Sequence, residues 1–140
     1  MSKFVKLRQI TSKIGSGATP KGGSESYFGS GVTFIRSQNV QDMSFSTNGL
    51  VYLDDGQANA LKSVTVLSND ILLNITGDSI ARSCIVPDCI LPARVNQHVS
   101  IIRCTNKNDS AYVGFYIQYL KSYLLQICKV GGTRNALRSL

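Results

Sequence analysis

The chain has 140 residues, 43% of them apolar, which is enough to close one core and argues against disorder. No apolar run approaches the roughly 20 residues of a membrane span, and the opening MSKFVKLRQI lacks the apolar stretch and cleavage site of a secretory signal. The net charge of +7 is uneven: residues 1–24 hold five Lys/Arg and no acid, residues 25–109 six against eight acids, and residues 110–140 four against none. A soluble, cytoplasmic protein with a single domain over 1–140 is expected. If its two ends meet in space they make one basic face suited to phosphate, although a merely solvated surface fits the charge equally well.

In chain order, "GSGATPKGGSESYFGSG" (15–31) is too dense in glycine for regular structure and predicts a long ordered loop or two successive turns. "VTFIR" (32–36), "VTVL" (64–67), "DILLNI" (70–75), "IARSCIV" (80–86) and "VNQHVSIIR" (95–103) are β-branched runs of strand length, with a short helix at "QANALK" (57–62). After Asp109 and Ser110, either of which can cap a helix, Val113, Ile117, Leu120, Leu124 and Ile127 recur at spacings of three and four. They predict one amphipathic helix of about five turns ending at Gly131-Gly132. The fold class read from this is α+β: a curved, mostly antiparallel β-sheet with a glycine-rich N-terminal loop and a packed C-terminal helix.

In a continuous strand over 95–103, Val95, Gln97, Val99 and Ile101 point one way and Asn96, His98 and Ser100 the other. Gln97 is then expected on the apolar face as a hydrogen-bonded pin, since an unpaired amide there costs roughly 1 to 3 kcal/mol. Asn96 and His98 share the polar face, either in a loop-bracing network or on a nucleic-acid surface.

Motifs for catalysis fail one by one. Gly17 to Gly22 has the first spacing of a phosphate loop, but Gly23 stands where the lysine must be. No acid lies two residues before a lysine, as an Asp/Glu-x-Lys nuclease needs, and the three prolines stand apart, so no Asn/Asp-Pro-Pro-aromatic methyl-transfer loop exists. His98 is the sole histidine and falls within a predicted strand, a poor base for a serine or cysteine nucleophile. Cys84, Cys89, Cys104 and Cys128 read as reduced structural thiols. A zinc site from Cys84, Cys89, His98 and Cys104 has the residue types but no C-x-x-C pair. What remains is a binding, regulatory or structural module.

Five stretches, in order, resemble the target-recognition domain of the specificity subunit of type I restriction-modification enzymes: "KLRQITSKIGSGATPKGG" (6–23), Tyr27 and Gly31 with "FIRSQNV" (34–40), "NDILLNITGDSIARSCIV" (69–86), "ARVNQHVSII" (93–102) and "GGTRNALRSL" (131–140). The resemblance implies a non-catalytic module that reads one half of a split site in double-stranded DNA. Methylation and restriction subunits dock on the assembly and bring ATP, Mg and S-adenosylmethionine; this chain itself is expected to hold no cofactor and no metal. The family's long spacer helices and Pro-Pro-x-x-Glu-Gln-like stretch have no counterpart before Leu140, so one recognition domain, the N-terminal one, is expected without coupling helices. A truncated or regulatory module that binds the methylation subunit without guiding it stays open as the alternative.

Because members read different DNA, shared motifs cannot encode those differences. Arg36, Gln38 and Asn39, Thr76-Gly77, and Asn96, Gln97 and His98 are therefore candidates for bracing the fold, gripping phosphate or surrounding the target base. Thr19 and Lys21 in one glycine-rich turn, and Thr133 and Arg134 in the other, are candidates for phosphate contact. Base reading is assigned to residues 42–62 and 82–94. There Arg82 and Arg94 can each offer a guanidinium to O6 and N7 of guanine.

Overall fold

The computed structural model describes residues 4–131, with the side chains of residues 24 and 127–131 outside that description. A one-turn helix α1 (Leu7–Ile10) leads into β1 (Thr11–Ser16), and β2 (Val32–Ile35) follows the glycine-rich segment. Then come the short ribbon β3 (Val40–Gln41) and β4 (Ser44–Phe45), followed by β5 (Val51–Leu53), α2 (Asp55–Ala60), β6 (Thr65–Val66), β7 (Ile71–Asn74) and β8 (Ser83–Ile85). The chain continues through β9 (Ala93–Val95), β10 (Val99–Cys104), α3 (Ser110–Tyr119) and α4 (Lys121–Gly131). The architecture is α+β and mostly antiparallel.

The strands divide into two four-stranded sheets where one curved sheet was expected. One has the order β1-β10-β7-β8, all antiparallel, and the other β5-β2-β9-β6, in which β2 and β9 run parallel. Strands alternate their faces, so Leu72, Cys84, Val99 and Ile101 of the first sheet meet Ile35, Val66, Ala93 and Val95 of the second in one core. On the other face of the first sheet, Ile71, Leu73, Ile102 and Cys104 pack against Val113, Ile117 and Leu124 of the late helices. Leu7 of α1 joins that layer, so the start of the described chain and its last helix share one core. Beyond the second sheet, Ala58 of α2 covers Phe34 and Leu53. Each of the fully enclosed Val, Leu, Ile and Phe side chains among these stabilises the fold by about 1.5 to 3 kcal/mol.

Three expectations of local structure are corrected. The helix placed at 57–62 begins earlier, because Asp54 accepts a hydrogen bond from the Gln57 N–H (2.7 Å) and the Gln57 side chain accepts one from the Asp54 N–H (3.0 Å), a reciprocal cap. The five-turn helix is broken at Leu120 into α3 and α4, and just past the break Lys121 forms an ion pair with Asp42 of the β3–β4 turn (2.7 Å). The strand placed over 95–103 is interrupted: β9 ends at Val95, β10 starts at Val99, and residues 96–98 turn between them. The pleat therefore does not run through. Val95 and Asn96 are both buried, while Gln97 is exposed instead of facing the core.

Candidate nucleic-acid interface

Strand register decides which loops meet. At the start of β10, Val99 pairs with Asn74 at the end of β7, and Ser100 with Ser16 at the end of β1. In the second sheet Ile35 and Val95 lie side by side at the ends of the parallel strands β2 and β9. Four connections therefore leave from one end of the two sheets: residues 17–22, 36–39, 75–80 and 96–98. These hold most of the motifs that the sequence singled out, now on one rim.

The turn at 96–98 ties three of the four together. Its Asn96 carbonyl accepts a hydrogen bond from the Gly17 N–H (3.0 Å), and its own Asn96 N–H donates to Ile35 (3.0 Å). The exposed Gln97 Oε1 accepts from the Thr19 hydroxyl (2.6 Å), fixing the turn that carries Pro20 and Lys21. The His98 carbonyl accepts from the Ile75 N–H (3.0 Å), and its ring Nδ1 hydrogen-bonds the Thr76 hydroxyl. Asn96 Oδ1 closes the turn on the His98 N–H (3.0 Å). Asn96 is thus the buried brace, and Gln97 is a pin on the surface, where a hydrogen bond between two side chains holds loops that are far apart in sequence.

Gly17 explains why this turn needs glycine. A Cβ there would lie 1.7 Å from the Val95 carbonyl oxygen, a position only a residue without a side chain permits.

Asn74, which was not singled out, links the remaining connection. Its Nδ2 is shared among the Ser37 carbonyl (3.0 Å), the Val40 carbonyl (3.2 Å) and the Ser79 hydroxyl (3.1 Å). The signal was a polar side chain in a run, ILLN, whose four members are all buried.

Other candidates are placed differently. Asn39 is wholly enclosed, accepting from the Arg36 N–H (3.0 Å) and donating to the Ser46 carbonyl (3.0 Å), so it braces the loop after β4 and is not available to a phosphate. Arg36 donates to the Gly49 carbonyl (2.7 Å) with its guanidinium 5.6 Å from the Tyr27 ring centre, a cation–π contact between two half-buried side chains. Gln38, on the same loop, is exposed.

Arg82 is half-buried beside the rim and donates to Gln41 (3.1 Å), while Lys21 is exposed on it. Arg94 donates to the carbonyls of Ala58 (3.0 Å) and Ala93 (3.1 Å), and burial lowers its pKa. In this arrangement it braces β9 against α2. Thr133 and Arg134 lie outside the described residues.

The zinc grouping does not assemble. Cys84 and Cys104 are buried on opposite faces of the first sheet, and Cys89 is exposed near the other end. Among the described residues no three His, Cys, Asp or Glu side chains are grouped to hold a metal, and no helix is long and apolar enough to cross a membrane.

No protein-family model and no curated protein matches this sequence. Solved structures do. The HsdS subunit from Thermoanaerobacter tengcongensis aligns over 99% of this chain and 32% of its own, with a TM-score of 0.71 at 16% identity. A chain from a structure describing complex assembly and conformational transition of the type I R-M system gives 0.72 at 15% identity over the same shares. The S subunit of a type I restriction-modification system from M. genitalium gives 0.61 at 13% identity, over 91% of this chain and 29% of its own. The chain spans about a third of the length of the structures it matches. Over that third, it has the fold of a type I restriction-modification specificity subunit.

Proposed function

We propose that residues 1–140 act as one DNA target-recognition domain, non-catalytic, that reads one half of a bipartite site in double-stranded DNA. Methylation and restriction subunits of a type I complex act on the site it selects, and ATP, Mg and S-adenosylmethionine belong to them. The observation that carries this reading is the convergence of the turns at 17–21, 76–79 and 96–98 on one rim of a fold like that of specificity subunits.

On that rim Lys21 meets phosphate from an exposed turn, Thr19 and Gln97 fix that turn, and His98 fixes the next. Arg82 supplies the base-reading guanidinium, which requires it to exchange Gln41 for a base edge. Thr133 and Arg134 contribute a second phosphate contact. With about four to six phosphates neutralised, log affinity for duplex DNA falls against log salt with a slope of roughly −4 to −5. Equilibrium binding to random and selected duplexes at several salt concentrations tests this. Retention without salt dependence, or none at low salt, contradicts the reading and favours the protein-interaction alternative.

A further inference from the structure

The helical layer presents a second surface, formed by α3 and the start of α4. Tyr112, Phe115, Tyr116, Tyr119 and Tyr123 recur three or four residues apart on the outer side of α3 and the start of α4, exposed by 46% to 83%. Val113, Ile117 and Leu124 fill the inner side, so the core is complete without these rings. Tyr116 and Tyr119 stack on one another with centroids 6.4 Å apart. Beside them a cleft of about 180 Å³ opens between Met43, Ile85 and Phe115, with Ser83 in its lining. The Ser83 hydroxyl is buried and has no hydrogen-bond partner.

We propose that this face is the interface between two copies of the chain, each inserting a tyrosine into the other's cleft. Three observations select a second copy. The seven side chains Met43, Ile85 and the five rings, each with a surface of about 200 Å², leave on the order of 800 Å² exposed per copy, the amount one partner buries in a stable complex. No charged residue occurs from Ser110 to Leu120, and at the edge Lys121 is already paired with Asp42. Two chains of +7 can therefore meet here without bringing like charges together, whereas a duplex or an acidic partner would find no unpaired cation on the described part of this face. The cleft also suits what the same face supplies: an apolar cavity of about 150 Å³ already accommodates a benzene ring, the ring of a tyrosine. A face carrying both the ring and its receptor is self-complementary, as a two-fold interface must be.

Sedimentation equilibrium on the full chain, without DNA, tests this independently of the recognition rim. The wild type is expected to dimerise with a Kd in the micromolar range. Tyr119→Lys and Tyr119→Glu are each expected to weaken association at least tenfold. Tyr119 is 83% exposed, so both variants should keep the wild-type circular dichroism and melting temperature. A wild type still monomeric at 100 μM overturns the proposal, as do variants that associate like the wild type.

Discussion

Removing the Asp70 carboxylate is expected to separate the two sheets energetically more than any other polar change. Asp70, at the start of β7, is fully enclosed and accepts from Arg103 Nε (2.8 Å), Arg103 Nη2 (2.7 Å) and the Leu67 N–H (2.8 Å). Arg103 Nη2 also donates to the Thr65 carbonyl of β6 (2.9 Å), so one guanidinium spans both sheets. Asp70→Ala leaves that guanidinium with one protein partner and strands the Leu67 N–H. Breaking a buried pair in this way costs about 3 to 5 kcal/mol. The lower end is expected, near 3 kcal/mol, because the Arg103 side chain keeps 25% exposure and water can reach it. That is a large share of the roughly 5 to 15 kcal/mol by which a domain is stable. In urea the midpoint should fall by about 1 to 2 M at unchanged slope. Asp70→Asn, which keeps an acceptor for Leu67, should lose about half as much. A midpoint shift under about 0.5 M for Asp70→Ala, or equal losses for the two variants, would refute the argument.

Gly17→Ala should destabilise by about 1 to 3 kcal/mol and weaken DNA binding, since the new methyl meets the Val95 carbonyl; urea midpoints and duplex affinity check both. Lys21→Ala should weaken binding to all duplexes alike and reduce the salt slope by about one unit, as titrations at two salt concentrations would show. Burial pushes the Cys84 thiol up to about 12 from an ordinary value of 9.0. Above pH 9 the unfolded chain therefore releases a proton that the folded chain keeps, so the contribution of Cys84 to stability is constant below that pH and falls by about 1.4 kcal/mol per unit toward pH 12. Cys84→Ala should abolish this portion of the alkaline slope. At neutral pH, peptide mapping after alkylation should find Cys89 labelled well before Cys84 and Cys104.

The buried strands were legible because a strand covered on both faces is a continuous apolar run: Phe34-Ile35, Leu72-Leu73 and Ile101-Ile102 are all enclosed. β3, β4, β5 and β9, two or three residues each, are too short to show a period. Partition into two sheets was hidden for another reason, since pairings such as β2 with β9 join segments far apart in sequence. At the rim the motifs fall in turns that share one end of the two sheets, but their polar character did not reveal which side chains face inward. Asn39 is buried because it replaces backbone partners for Arg36 and Ser46, and the exposed position of Gln97 was not legible because its partner Thr19 lies 78 residues away. Arg94 looked like a reader of bases because nothing local announces that α2 turns a carbonyl toward it.

The claim that this domain selects DNA sequence is tested most directly by placing residues 1–140 in a complete type I specificity subunit, in place of its N-terminal recognition domain, and mapping methylated adenines genome-wide. The account predicts a split site in which one half is new and the other is that of the host subunit. Methylation that keeps both original halves, or an assembled complex that methylates without regard to sequence at one half, would contradict it.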